Sequence, residues 1–284
     1  MAGKKIAIVT DSSTYIPEEE TAGLDIHVIP LWMIWDDDKL RDGVDIQPDV
    51  FYSRLRSSKT LPTSSQPSAG EFIEFFKEVA RDCDEITAIL VSSKISGTMA
   101  SALAAQKELP EIPIRVVDSL TVSMGLGYCV LAAARAAAAG KSLAEVVRIA
   151  EDMSTRVHLI FAVDTLENLR KGGRIGGAKA LLGTALSIKP LLHFLDGQIE
   201  PLMQVRTKKK ALACMLDAAE ERLAGKKMVE ATVLDVDALA DGDRVAEMVS
   251  QRFAIPKVLR TTVSPVVGTH AGPGTVGLAF YGEK

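Results

Sequence analysis

Short β-branched runs alternate with helix-length stretches through the first half of the chain, and no other feature limits the possible folds as tightly. That alternation implies βαβ units and a parallel sheet. Strands are expected at Lys5–Thr10, Ile26–Ile34, Ile86–Val91 and Ile114–Val117. Between them, Phe72, Ile73, Phe75, Phe76 and Val79 fall at amphipathic helical spacing. Ser68 and Glu71, three residues apart just before this run, fit a capping box. Further helices are expected over Thr98–Lys107, over the Ala-rich Met124–Ala139 with Gly140 as its stop, and over Leu143–Met153.

The pattern changes in the second half. A strand at Leu159–Val163 and a short helix at Thr165–Lys171 precede a helical run over Ala178–Ser187. Asp196-Gly197 then sits between alternating apolar residues, a two-residue hairpin signal that implies antiparallel pairing. A long helix over Lys208–Leu223, a strand over Met228–Val236, a helix over Asp243–Phe253 and a last strand at Leu278–Tyr281 follow. The expected fold class is therefore α/β in two domains: an N-terminal parallel-sheet, Rossmann-like domain and a C-terminal α/β domain with a mixed or antiparallel sheet. The change of pattern puts the boundary near residue 155, giving domains 1–155 and 156–284, and a length of 284 residues suits two domains.

Composition excludes several classes. With 33 Lys+Arg against 37 Asp+Glu the net charge is −4, which argues against nucleic acid as a partner. Cys83, Cys129 and Cys214 are widely spaced and odd in number, so neither a disulfide framework nor a zinc site is indicated, and a reducing, cytoplasmic location is expected. The apolar run Ile6–Val9 is too short for a signal peptide. Met124–Ala139 contains Arg135 and falls short of the roughly 20 residues of a membrane span, so it reads as a buried helix and no stable membrane insertion is expected.

Three first-half strands end in polar residues: Thr10-Asp11-Ser12-Ser13, Ser92-Ser93-x-x-Ser96-Gly97-Thr98, and Asp118-Ser119. In open parallel sheets ligands bind outside the carboxyl ends of the strands, so these segments mark a candidate site. Ser96-Gly97-Thr98 opens a helix whose free N–H groups favour an anion, although a serine there also caps helices with no ligand nearby. Thr63-Ser64-Ser65 offers more hydroxyls than one cap can use, consistent with a loop over a polar head group or with solvated serines. Arg170 to Arg174 carries cations at a helix end, and Arg206 leads a basic cluster that otherwise reads as a solvated helix start. His270-Ala271-Gly272-Pro273-Gly274-Thr275-Val276-Gly277 contains GxGxxG, but only seven residues follow and no βαβ unit can form, so a dinucleotide site is rejected. A glycine-rich turn into a closing strand remains, with His270 at its start. GxSxG, P-loop and HExxH motifs are absent. Asp36-Asp37-Asp38 reads as a solvated turn rather than a calcium loop.

Taken in order, the Thr10-Asp11-Ser12 strand end, Pro62-Thr63-Ser64-Ser65-Gln66-Pro67-Ser68, Ser92-Ser93-x-x-Ser96-Gly97-Thr98, Asp118-Ser119, Leu169-x-Lys171-Gly172-Gly173-Arg174-Ile175, Lys189-Pro190-x-Leu192, Arg206-Thr207 and His270-x-Gly272-Pro273-Gly274 resemble the DegV family across nearly the whole chain. The resemblance implies a two-domain bacterial protein that binds a long-chain fatty acid. It also implies the non-catalytic FakB role, in which a separate FakA-like kinase subunit phosphorylates the bound carboxylate to an acyl phosphate for phospholipid synthesis. No cofactor or metal is implied. By matching position, Ser96 with Gly97, Ser64 with Thr63, and His270 are implied ligand contacts, and Arg174 and Arg206 lie near the head group or the docking surface. Lys94 stands where the family pattern has a small residue. The alternative is a stand-alone hydrolase of a small acylated or phosphorylated substrate, using Ser96 and His270. A third reading is a sensor whose lipid is only a signal.

Overall fold

The computed structural model describes residues 4–183 and 188–284. The first strand, β1 (Ile6–Asp11), is buried along its whole length, as a central strand covered on both faces must be. A short helix α1 (Glu18–Thr21) leads to β2 (Ile26–Ile29), and Pro30, which has no N–H for a ladder, ends the strand there. The single strand expected over Ile26–Ile34 is thus two. After the break, β3 (Trp32–Trp35) turns through Asp36-Asp37 into β4 (Asp38–Arg41) and joins a separate antiparallel sheet. Helix α2 (Pro48–Ser57), with proline in its first turn, was not expected, because its polar stretches mask a buried face of Phe51, Tyr52 and Leu55. The hydroxyl loop is in fact strand β5 (Thr63–Ser65), paired with β3 so that Ser64 faces Met33 and Ser65 faces Trp32.

The capping box forms as read: Ser68 Oγ accepts from the Glu71 N–H, and the Glu71 carboxylate accepts from the Ser68 N–H, at the head of α3 (Ala69–Val79). Next come β6 (Glu85–Leu90), α4 (Thr98–Glu108) and β7 (Ile114–Asp118). The parallel sheet has the order β2-β1-β6-β7, so the chain leaves β1 in opposite directions and a crevice opens at the carboxyl ends of β1 and β6. The Ala-rich segment forms α5 (Ser123–Ala138), buried over most of its surface as expected, and α6 (Leu143–Arg156) follows. No described helix is long and apolar enough to cross a membrane. Residue 155 falls in the last turn of α6.

The second half supplies β8 (His158–Ala162), α7 (Glu167–Lys171), β9 (Lys189–Leu195) and β10 (Gln198–Val205). The β9–β10 hairpin turns on Asp196 and Gly197, both at positive φ, as the sequence signal requires. The helical run expected over Ala178–Ser187 is a 3₁₀ helix at Gly176–Leu181; residues 184–187 lie outside the described set. Helix α8 (Lys208–Leu223), strand β11 (Met228–Asp235), helix α9 (Leu239–Phe253, earlier than expected by four residues), strand β12 (Leu259–Thr262), helix α10 (Pro265–Ala271) and strand β13 (Val276–Gly282) complete the chain. Their sheet has the order β10-β9-β8-β13-β11-β12, with only β11 and β12 parallel. The fold is therefore α/β with one parallel sheet, one mixed sheet and the small antiparallel sheet β4-β3-β5. A single apolar cluster runs from Ile6 and Ile8 through α5 to Leu234, Val236 and Tyr281, so the two halves share a core.

Candidate functional site

Two carboxylates at strand ends shape the crevice without lining the cavity beside it. Asp11 is buried; its Oδ1 accepts from the Ser13 N–H (3.0 Å) and hydroxyl (2.5 Å), and its Oδ2 from the Val91 N–H (2.8 Å). It thereby pins the loops after β1 and β6 to each other. Asp118 does similar work after β7, accepting from the N–H groups of Ser93 and Leu120. The polar strand ends thus lie at the edge that borders the cavity, but their carboxylates hold backbone.

Above that edge the two halves enclose a cavity. Its wall runs from Ser13, Ser123 and Ser96 on the parallel-sheet side to Leu159, Phe161, Leu234 and Val236 on the mixed-sheet side, and Val263 after β12 closes it together with Val266, Val267 and His270 of α10. The empty space is about 870 Å³, mouth included, but little of it is wide enough to take a water molecule. The bore is accordingly narrow. Most lining side chains are aliphatic or aromatic; the polar ones include Ser64, Ser65, Gln66, Ser96, Arg174 and His270. Such a space suits one flexible apolar chain with a single polar end.

His270 organises the polar end. It sits in the last turn of α10, not in the glycine turn that follows, and its Nε2 lies 2.7 Å from Ser64 Oγ on β5. Its Nδ1 is buried with no partner and faces α7, where a Cβ on Gly172 would fall 2.1 Å away. Only a glycine at 172 lets the helix end and the imidazole approach so closely. Burial, aided by the Arg174 charge, pushes the imidazole pKa down from 6.5 to about 4, so the ring is neutral near pH 7.

Arg174 joins the halves. Its Nε donates to the Ile95 carbonyl (3.0 Å) and its Nη1 to the Gly172 carbonyl (2.8 Å), placing the guanidinium on the cavity wall. Ser92 adds a second tie, donating to the Gly197 carbonyl in the β9–β10 turn at 2.7 Å. Ser96 lines the cavity just before α4; its Oγ lies 2.8 Å from Thr98 Oγ1 and accepts from the Thr98 N–H (3.3 Å). Gly97 is the N-cap, with the Gln66 amide against it where a Cβ would stand 2.8 Å from Nε2.

Ser64, Ser96, Arg174 and His270 thus meet on one cavity, and Gly97 adjoins it. Thr63 and Arg206 do not line it: Thr63 is exposed on β5 and Arg206 is exposed after β10. The basic cluster behind Arg206 starts a helix, with Thr207 as its N-cap and Lys208 paired to Asp241 at 3.0 Å. Sequence reasoning passed over Gln66 as a lining residue and Ser123, whose Oγ is buried without a partner on the cavity wall. The helix-opening position of Ser123, after a strand ending in Asp118-Ser119, was the available signal. Among the described residues, no cluster of His, Cys, Asp and Glu is placed to hold a metal ion.

Comparison with known proteins agrees with this geometry. A family model described as "Uncharacterised protein, DegV family" matches residues 5–283. A DegV domain-containing protein of Halalkalibacterium halodurans is 35% identical over 281 residues, covering 99% of each chain. A solved structure described as fatty acid binding of a DegV family protein from Thermus thermophilus superposes with a TM-score of 0.90 at 33% identity, over 98% of this chain and 100% of that one. The structure of DegV from Bacillus subtilis, described as a fatty acid binding protein, gives a TM-score of 0.90 at 32% identity, over 99% and 100%.

Proposed function

The chain belongs to the DegV family, and from that premise we propose that it binds a long-chain fatty acid, with the acyl tail in the narrow cavity and the carboxylate at Ser64, Ser96 and His270. The observation that carries this reading is one apolar bore ending in hydroxyls, a neutral imidazole and a guanidinium. Moving about fifteen methylenes out of water at roughly 0.8 kcal/mol each yields on the order of 12 kcal/mol, before association costs. The tail supplies affinity. The head group supplies direction, since each hydrogen bond to a carboxylate is worth roughly 1.5–3 kcal/mol. With its proton on Nε2, His270 donates to Ser64 Oγ and leaves the Ser64 hydroxyl free to donate to the ligand.

The finer reading is that the protein presents this carboxylate to a separate FakA-like kinase subunit. There a carboxylate oxygen attacks the γ-phosphorus of ATP, the bond to the β-phosphate oxygen breaks, and acyl phosphate and ADP form. Support comes from the gathering of Ser64, Ser96, Arg174 and His270 on one cavity wall, where a carboxylate would be held, and from a sequence without a phosphate-binding P-loop. The thiols of Cys83, Cys129 and Cys214 are free, in keeping with a reducing cytoplasm. The hydrolase reading loses ground to the geometry: His270 pairs with Ser64 instead of Ser96, its low pKa makes it a weak base, and Nδ1 has no carboxylate to orient it.

Mass spectrometry of organic extracts from purified protein tests the binding, with about one equivalent of fatty acid expected. Empty protein that also fails to take up oleate or palmitate would overturn it. Addition of an acyl kinase subunit and ATP tests presentation, with acyl phosphate expected from the bound lipid and none in its absence. Turnover of model esters or phosphates abolished by Ser96→Ala would favour the hydrolase.

A further inference from the structure

A second cavity, where the start of β8 and the end of β13 meet the ends of α6 and α8, has a chemistry opposite to the first. Its empty space is about 720 Å³, mouth included, and it is bounded by α6 (Asp152, Arg156), the start of β8 (His158), the end of α8 (Arg222, Lys226 just beyond) and the chain just past β13 (Glu283, Lys284). Four cations face two carboxylates. Asp152 is already shared, 3.6 Å from Arg156 and 3.1 Å from Lys284, and Arg156 also donates to the Gly282 carbonyl.

Arg222 is the anomaly. Its side chain is half-buried, yet among the described residues no carboxylate pairs with it, and its one hydrogen bond runs from Nη2 to His193 Nδ1 at 2.9 Å. Burying a cation without a counter-charge is unfavourable, and proteins ordinarily supply a carboxylate. Here the nearest groups are two imidazoles, and the exposed carboxylate of Glu221 acts on the guanidinium without forming an ion pair. Burial and the Arg222 charge hold both His158, at about 4, and His193 below the usual range, so neither adds a competing positive charge at neutral pH and each can accept a hydrogen bond. Lys226 has no ion-pair partner among the described residues either.

We propose that this cavity is an anion site, with Arg222 and Lys226 as the principal ligands, for a compact phosphate-bearing molecule. Phosphate matches a guanidinium fork and carries the negative charge that a lining richer in cations than carboxylates attracts. The lining has no Phe, Tyr or Trp to stack a nucleobase and only one aliphatic side chain, Leu223, which favours a bare phosphate or phosphate head group over a nucleotide. The site shares no residue with the acyl cavity.

The test uses the full-length, lipid-loaded protein titrated calorimetrically with inorganic phosphate and with pyrophosphate. In parallel, it is sedimented with phosphatidylcholine vesicles with and without phosphatidic acid. Saturable binding of free phosphate identifies a soluble source, and binding only to phosphatidic acid vesicles identifies a lipid head group. In either case Arg222→Gln is expected to weaken binding at least about tenfold and Lys226→Gln about threefold. Lys209→Gln, on the exposed start of α8, should leave it unchanged. Because Lys226 and Lys209 are exposed, those two variants report even if Arg222→Gln folds poorly. Fatty acid content of each variant serves as the folding control and keeps this outcome separate from that of the acyl site. No binding in either arm, or equal binding by wild type, Arg222→Gln and Lys226→Gln, overturns the proposal.

Discussion

Replacing Gly172 with alanine is expected to weaken fatty acid binding, although the new methyl group touches no ligand. Gly172 closes α7 in ordinary helical backbone, φ −75° and ψ −7°, so the main chain accepts alanine without strain. Space is what it lacks. The added Cβ falls 2.1 Å from His270 Nδ1 and 2.8 Å from Cε1, whereas ordinary contact begins at 3.4 Å, so the ring must give by roughly 1.3 Å. It cannot slide away from α7, because Ser64 already stands 2.7 Å from the other ring nitrogen. It must rotate, and rotation breaks the Ser64 contact and misaims the hydroxyl. One hydrogen bond to a charged head group is worth about 1.5–3 kcal/mol, so Kd should rise by about 10- to 150-fold. The assay is displacement of a fluorescent fatty acid from delipidated protein, with Gly173→Ala as control. Gly173 lies at φ +72° with open space where its Cβ would go, so that variant should lose about 1 kcal/mol of stability and keep its affinity. Wild-type affinity in Gly172→Ala, or equal weakening by both variants, would refute the reasoning.

Two buried groups should give opposite pH signatures. His270 is depressed from 6.5 to about 4, so the unfolded chain binds its proton more readily; the native state gains its full advantage above pH 6.5 and loses about 3 kcal/mol as pH falls through 4. His270→Gln should remove that slope in urea titrations, and an NMR titration showing an ordinary pKa would contradict the burial argument. Asp42 is raised from 3.8 to about 7 by burial, against donors from Ser12 and Ser264, so its protonated form favours the native state at low pH and about 4 kcal/mol is lost as pH rises from 4 through 7. Asp42→Asn should flatten that loss, and a variant whose stability still falls over the same range would count against it. Ser123 Oγ is buried with no partner, so Ser123→Ala surrenders no hydrogen bond and should melt at or above the wild-type temperature; a drop equivalent to more than about 1 kcal/mol would show that the hydroxyl is satisfied after all.

What could be read along the chain was what local chemistry writes. The Ser68 capping box, the Asp196-Gly197 hairpin and the buried run of α5 each depend on a few adjacent residues, and each formed as expected. Elements whose partners are distant in sequence were missed. Thr63-Ser64-Ser65 has the composition of a loop, and only pairing with Trp32–Ile34 makes it a strand. Likewise α10 is seven residues long, started by Ser264 as N-cap and Pro265, and its buried face has meaning only against α7, α2, β3 and β5. That misreading placed His270 in a turn, though its meeting with Ser64, 206 residues away, was anticipated through family likeness.

The acyl cavity shows why the remainder was illegible. Leu159 and Phe161 on β8, Leu234 on β11 and Val263 after β12 satisfy the same buried-strand pattern whether they meet another side chain or an empty bore. Hydrophobic periodicity records that a face turns away from water, and a fatty acid tail is not water. Their role as a lining is therefore fixed by what fails to fill the space opposite them. That shortfall depends on α5 standing between the two sheets and on Arg174 and Ser92 fastening the halves across the mouth. Cutting both fastenings, as Arg174→Gln with Ser92→Ala, leaves every aliphatic lining residue in place. If the cavity exists because the halves are held at a set spacing, the double variant should lose acyl selectivity and affinity together while retaining both sheets by circular dichroism. If the lining alone defines the bore, its preference among chain lengths should survive unchanged.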